Sequence, residues 1–270
     1  MNKHSFSPSQ QRPAIGMASL LQIELTKLRR SHILWILLIP PLILWIPSAL
    51  NADVNLHIED INILPEYNFF IQGFMGMAWF MIPATLVICT VLLNQTERTN
   101  KGILKMLSLP VNTGKICLAK FLVMVLLIVI QMIFTISSYY IGALIASDLT
   151  GYDFVLSFPY AIRVTAAIYL ASLPAAAVFW MLAVLISTPI FSVGIGLASL
   201  VPSVLLLNTR LWALYPMDYP FYVLMTEYGK QAKDIFTSEI RWIPLIPIAL
   251  AVTILCLGAA CLRFGKSEIR

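Results

Sequence analysis

The sequence predicts an all-α integral membrane protein that crosses the bilayer six times and keeps both termini in the cytoplasm. Of the 270 residues, 59% are hydrophobic and only 11% are charged, whereas charged residues make up about 25% of a typical soluble protein. A soluble fold of this composition would lack the polar side chains that its surface needs. The relevant unit is therefore the run of about 20 apolar residues that crosses a bilayer.

Six long apolar runs contain no Asp, Glu, Lys, Arg or His. Charge-free runs rich in Leu, Ile, Val and Phe favour membrane insertion. A backbone in lipid must also satisfy its own hydrogen bonds, so we expect each run to form a helix. The predicted spans cover about 33–50, 74–93, 121–146, 164–186, 190–207 and 243–262.

The fourth and fifth spans form one nearly unbroken apolar stretch, residues 164–207. A single helix of this length would measure about 66 Å at 1.5 Å per residue, against a hydrocarbon core of about 30 Å. The chain must therefore turn back within it. We expect the turn at Ser187-Thr188-Pro189, because proline disfavours helix in the residue before it.

The distribution of Lys and Arg predicts the orientation. Thirteen of the 18 Lys and Arg residues fall on one side of the six-span arrangement, and the positive-inside rule makes that side cytoplasmic. The segment 51–73 has no Lys or Arg and carries acidic residues, so it faces outward. Residues 1–12 are predicted to be a flexible cytoplasmic tail, and residues 13–270 a single transmembrane domain.

An amphipathic helix is predicted over residues 13–30, ahead of the first span. Apolar residues recur there at three- and four-residue spacing, which is typical of a helix with one apolar face. Such a helix can lie in the membrane interface, with its arginines near anionic lipid head groups. The alternative is a plain cytoplasmic extension of the first span. The apolar positions are Ala14, Met17, Leu21, Leu25 and Leu28.

Two longer segments connect the spans. Residues 94–120 form the largest predicted cytoplasmic loop, and its apolar residues need either a partner surface or the protein's own helix ends to cover them. Residues 208–242 are rich in aromatic residues, which favour the boundary between water and lipid. A ligand-binding role is the alternative for this outer segment. Its interfacial aromatics are Trp212, Tyr215, Tyr219, Phe221 and Tyr222.

Several kinds of chemistry are excluded. The chain has no GxxxxGK[ST] phosphate loop, so it cannot hydrolyse ATP by itself, and its three histidines cannot form a HExxH metal site. No charged residue lies within a predicted span, whereas carriers coupled to protons or sodium usually need one. The basic residues lie between long apolar runs, which argues against nucleic-acid binding. We therefore expect no catalytic residue, metal site or cofactor in this chain.

The sequence resembles the membrane-spanning permease subunits of bacterial ABC transporters of the type-2 exporter class. Within this class it looks most like the permeases of bacitracin-resistance and lantibiotic-immunity systems. The resemblance rests on residues 24–31, ELTKLRRS, which lead into the first span, and on the loop 97–110, ERTNKGILKMLSLP. The six-span topology adds to it.

This resemblance implies a mechanism and a set of partners. The helix over residues 13–30 would be a connector helix that uses Glu24, Lys27, Arg29 and Arg30. The loop would hold a coupling helix that docks into a separate ATPase subunit, where ATP and magnesium bind. A second permease, either a copy or a paralogue, would complete the transporter in a bacterial cell membrane. The implied coupling residues are Glu97, Arg98, Gly102, Ile103, Leu104, Lys105, Leu107 and Pro110.

The resemblance favours export of an amphipathic antimicrobial peptide or a lipid-like compound. One alternative is a membrane-embedded enzyme acting on lipids or peptides. Its candidate residues, Glu227 with Tyr228 or His57 with Glu59, are sparse and lie in predicted loops. A non-transporting sensor or assembly subunit on the same fold is the other alternative.

Overall fold

The structure is a computed structural model, and every regular element that it describes is helical. It describes residues 16–28, 33–57, 63–98, 112–186, 188–206, 209, 212–232 and 241–264, with the side chains of 95–98, 204 and 242 left out. The helices are α1 (Met17–Leu28), α2 (Ile33–Leu50), α3 (Pro65–Gly76), α4 (Ile82–Arg98), α5 (Thr113–Thr150), α6 (Phe158–Ala171), α7 (Leu173–Leu185), α8 (Pro189–Ala198), α9 (Val201–Leu206), α10 (Tyr219–Gln231) and α11 (Trp242–Arg263).

Within the described residues, five helices are long and apolar enough to cross a membrane. They are Ile33–Leu50, Pro65–Asn94, Thr113–Thr150, Phe158–Leu185 and Ile243–Arg263. The fifth predicted span, at 190–207, is instead a shorter apolar helical stretch, Pro189–Ser203. Long apolar helices therefore cover five of the six predicted runs.

The helices extend beyond the predicted spans. The second begins at Pro65 rather than near residue 74, and α3 passes into α4 through a π-helical turn, Met77–Met81. Helix α5 has 38 residues. Asn112 caps its start by accepting a hydrogen bond from the Gly114 amide at 2.9 Å, and Gly151 ends it in a left-handed conformation with φ of 73°. The predicted spans were shorter because hydropathy ends where polar residues begin, whereas helices continue to their caps.

A break between two helices lies where the turn between the fourth and fifth spans is predicted. Helix α7 ends at Leu185, and α8 begins at Pro189 after an extended Thr188; Ser187 lies outside the described residues. The structure adds a break inside the fourth span that we did not predict. Helix α6 ends at Ala171 and α7 starts again at Leu173, with Pro174 in its first turn.

Helix α7 lies at the centre of the bundle and packs against α4 and α11, while α2 packs against α5 and α10 against α6. The aromatic core surrounds Trp45, whose ring lies 5.1 Å from the ring of Tyr139 and 5.7 Å from that of Phe74. Gly73 lies directly against Trp45, since a Cβ atom at that position would come within 2.4 Å of the indole. Close packing of this kind fixes α2 against α3 and α5.

The outer surface of the bundle is apolar. Large exposed side chains on α2 and α11 include Trp35, Ile43, Leu250 and Leu255. In a soluble protein so large an apolar surface would mark a docking site. On helices of spanning length, it is the surface expected to face lipid.

Candidate functional site

A buried, charged site forms where α1 meets the helices on either side of residues 99–111. Helix α1 lies against α5 and turns Leu20 and Glu24 inward, four residues apart on one helical face. Glu24 is only 4% exposed. A carboxylate removed from water needs a charged or hydrogen-bonding partner to remain ionised.

Lys120 provides that partner. Its side chain is fully buried, and its Nζ lies 3.0 Å from Glu24 Oε2, across 96 positions of sequence. The same Nζ donates to the carbonyl oxygen of Leu93 at 3.5 Å. Lys27, one turn along α1 and 38% exposed at its side chain, donates to Glu24 Oε1 at 2.7 Å. We call Glu24, Lys27, Leu93 and Lys120 the junction.

The junction keeps the Glu24 carboxylate ionised. Burial alone would raise the pKa of Glu24, but the positive charges and hydrogen bonds of Lys120 and Lys27 outweigh it and hold that pKa below its usual value. Each carboxylate oxygen therefore accepts a charge-assisted hydrogen bond, a class stronger than neutral ones.

The junction connects three helices at one end of the bundle. Glu24 belongs to α1, Leu93 to α4 and Lys120 to α5, and residues 99–111 connect the last two helices along the chain. Beside the junction, the Asn94 side chain of α4 donates to the Ala183 carbonyl of α7. Buried polar contacts therefore connect the end of α4 to α5 and α7, and α5 to α1.

The structure describes only part of the predicted coupling and connector residues. Of the four connector residues, Glu24 and Lys27 meet in the junction, while Arg29 and Arg30 lie outside the described residues. Glu97 and Arg98 belong to the last turn of α4, and their side chains are not described. The remaining coupling residues, Gly102, Ile103, Leu104, Lys105, Leu107 and Pro110, and the tail 1–12 lie outside the described residues.

Helix α1 is confirmed as a helix over Met17–Leu28; the predicted residues 13–15, 29 and 30 lie outside the described residues. Its inward face differs from the expected apolar stripe, because Glu24 is buried whereas Leu25 is 39% exposed. Sequence reasoning placed Lys120 just before the third span; in the structure it lies inside α5. No local pattern could have paired it with Glu24, since only the packing of α1 on α5 brings them together.

The aromatic segment after residue 208 folds back onto the bundle. Trp212 and Tyr222 stack with ring centroids 4.2 Å apart. Tyr219 is buried and donates to the Ala213 carbonyl at 2.5 Å, and the Tyr215 hydroxyl donates to the Ser199 carbonyl. Phe221 is half-buried on α10. The five predicted aromatics thus gather around the start of α10.

An apolar groove of about 370 Å³ opens between α6, α7, α10 and α11. It lies where α6 breaks into α7, and Thr253 is a polar side chain at its edge. Its lining includes Ala167, Ala171, Pro174, Tyr219, Val223 and Ala249.

Glu227 of α10 forms ion pairs. It lies 3.0 Å from Lys230 Nζ and 3.6 Å from the Arg163 guanidinium. A carboxylate held by two cations suits a positioning role better than general acid catalysis. His57, the other enzyme candidate, lies 3.0 Å through Nδ1 from the Asp53 carbonyl, and Glu59 lies outside the described residues. Among the described residues, no group of three or more His, Cys, Asp or Glu side chains could hold a metal.

Sequence reasoning also missed Asp218, a buried carboxyl at the start of α10. It lies in a segment with many polar and aromatic residues, where nothing in the local pattern marks it as interior.

The family model described as ABC-2 family transporter protein matches residues 20–203. The chain belongs to this family. The matched range runs from α1 to α9 and includes all four residues of the junction. The family identifies the chain as the membrane permease of an ABC transporter, which is a transport component and not itself catalytic, and it implies an ABC ATPase as partner. No curated protein matches the chain.

Proposed function

We propose that this ABC-2 permease serves an ATP-driven exporter that moves an amphipathic antimicrobial peptide or a lipid-like compound out of a bacterial cell membrane. The observation that carries the proposal is the junction. It joins α1 to both helices that flank the loop 99–111, as a device that passes force from a partner into the membrane would require.

ATP would act on this chain through its loop. The partner subunit would bind ATP and magnesium and press on the loop through the residues from Glu97 to Pro110. Because separating Glu24 from Lys120 would leave a buried charge uncompensated, the two residues would stay paired during such a push. Helices α1, α4 and α5 would then move as a unit, and the connector and coupling assignments follow from this arrangement.

The six-span topology with both termini in the cytoplasm belongs to the proposal. The excess of Lys and Arg on one side supports the orientation. Helices α8 and α9 would make the fifth crossing together. At 1.5 Å per residue, residues 189–206 reach about 27 Å, close to the hydrocarbon thickness of about 30 Å.

The apolar groove supports a lipid-like or amphipathic cargo. It lies between α6, α7 and α11, which belong to candidate spans, and none of the described residues that line it is charged. An acyl chain or an apolar peptide face would lose little on leaving lipid for such a surface. A second permease, either a copy of this chain or a paralogue, would complete the transporter together with two ATPases.

The test is transport by the complex in inverted membrane vesicles. Tagged chain is first purified in a mild detergent, and co-purifying subunits are identified by mass spectrometry. An ATPase with a phosphate loop, at about one copy per permease, is expected. Vesicles that contain the complex should then accumulate a fluorescent lipid analogue with ATP, and should not do so with a non-hydrolysable ATP analogue. A complex that hydrolyses ATP yet moves neither lipid analogues nor amphipathic peptides would contradict the proposed cargo.

A further inference from the structure

Asp218 occupies an unusual position for a helix-capping residue. It ends the 3₁₀ turn Pro216–Asp218 and immediately precedes α10. An aspartate in this position normally accepts hydrogen bonds from the first amides of the helix. Here the side chain forms no capping bond, and the second helical residue, Pro220, has no amide hydrogen to offer. The carboxyl instead lies in the protein interior, with the residue 2% exposed.

No donor in the described structure satisfies this carboxyl. Both of its oxygens are buried and lack a hydrogen-bond partner. The nearby Ser203 hydroxyl has one hydrogen, which it donates to the Leu200 carbonyl at 2.7 Å, and it accepts from Trp79 Nε1 at 3.1 Å. The serine therefore has no hydrogen left for Asp218, and the carboxyl stands next to a polar group that cannot stabilise its charge.

No cation among the described residues faces the carboxyl. The turn packs against α7, α9 and α10, and the sequences of α7 and α9 contain no ionisable residue. On α10, Glu227 and Lys230 pair with each other near its other end, and Tyr222 and Tyr228 are phenols. The adjacent Tyr215 and Tyr219 are neutral near pH 7, because burial raises the pKa of both, that of Tyr219 to about 12.

A buried carboxyl without a donor or a cation is far more stable as the neutral acid. We propose that Asp218 is a proton-binding site of this permease, occupied while residues 212–231 pack against α7 and α9 and emptied when that packing opens. The step is a simple acid dissociation, in which the O–H bond breaks and the proton passes to water. Closure of the segment is thereby linked to proton uptake.

The direction of the pH effect follows from this linkage. Burial raises the pKa of Asp218 from 3.8 to about 7. The closed packing is therefore fully stable below the ordinary carboxyl pKa, weakens as the pH rises towards 7, and changes little above it. Between about pH 6 and about pH 8, the fraction of molecules in which residues 212–231 have left α7 and α9 should increase roughly tenfold.

Infrared spectroscopy of the purified chain in lipid nanodiscs tests the protonation directly. At about pH 6 the wild type should show the carbonyl stretch of a protonated carboxyl, and Asp218→Asn should lack it. The matched control is Asp153→Asn, which removes an exposed carboxyl and should keep the band. Identical protonated-carboxyl bands in the wild type and Asp218→Asn would overturn the proposal. If Asp218→Asn does not fold, the test uses wild-type protein that carries carboxyl-labelled aspartate. An aspartic acid band that is absent, or that does not change with pH, would then refute the proposal.

Hydrogen exchange tests the link to the conformation. After correction for the intrinsic pH dependence, exchange in residues 212–231 should rise roughly tenfold between about pH 6 and about pH 8 in the wild type and in Asp153→Asn. The neutral Asp218→Asn variant should stay protected at both values. Equal pH dependence in all three proteins would show that Asp218 does not control the segment. Neither measurement requires the partner ATPase, so its outcome is independent of the proposed transport activity.

Discussion

Replacing Glu24 by Gln keeps the shape of the side chain and removes the charge that faces Lys120. The lysine is fully buried, and Glu24 Oε2 lies 3.0 Å from its Nζ. Removing one partner of a buried ion pair typically costs about 3–5 kcal/mol, because the other charge is left uncompensated. Lys120 keeps the Leu93 carbonyl and further contacts, so we expect the lower end, about 3 kcal/mol.

The matched control, Lys27→Met, removes the second cation that pairs with the Glu24 carboxylate. Lys27 lies 2.7 Å from Glu24 Oε1, but its side chain is 38% exposed, and an exposed pair contributes about 0–1 kcal/mol. Lys27→Met should therefore destabilise the protein much less than Glu24→Gln. The assay measures unfolding of the purified wild type and of each variant in the same detergent, with tryptophan fluorescence as the readout.

A double-mutant cycle separates the pair from the rest of the junction. Glu24→Gln combined with Lys120→Met removes both charges, so the double variant should be more stable than the sum of the two single losses predicts. Strictly additive losses would show that the two residues do not interact and would refute the assignment of the pair. A Lys27→Met loss equal to that of Glu24→Gln would refute the argument from burial.

Three further outcomes are expected. The pKa of Glu24 is held below the ordinary value of 4.5. The contribution of the junction to stability is therefore present above pH 4.5 and should disappear as the pH falls through the lowered pKa. Glu24→Gln should show no loss of stability of this kind. Gly73→Ala should cost about 1–3 kcal/mol by overpacking against the Trp45 ring, whereas Gly194→Ala, which meets nothing within 4 Å, should be neutral or stabilising in the same melting assay. Gly102→Pro should abolish ATP-dependent transport without loss of membrane insertion, and normal transport would contradict the coupling role of the loop.

The apolar helices could be predicted from sequence because hydrophobic transfer is nearly additive along a chain. The described helices of spanning length include Ile33–Leu50 and Ile243–Arg263, where spans are predicted over 33–50 and 243–262. Errors occurred where local geometry overrides hydropathy. Pro174 starts a new helix inside one apolar run, and α5 continues well past its apolar part to the left-handed Gly151.

The candidate sites were predictable only in part. The connector prediction included Glu24 and Lys27, because the family resemblance implied a connector helix over residues 13–30. It gave no reason to place Lys120 in the interior. Asp218 was missed because its segment is polar and aromatic, and hydropathy alone predicts that such a segment lies outside the bundle.

The sequence by itself determined that the chain is helical, apolar and built from long runs, because burial of apolar side chains depends on composition and spacing. Only the tertiary structure decided which charges are interior. Glu24 meets Lys120 because α1 packs on α5, and Asp218 lacks a donor because Ser203 gives its hydrogen to Leu200. These properties depend on distances between residues far apart in the chain, and such distances are set by packing and not by any local pattern.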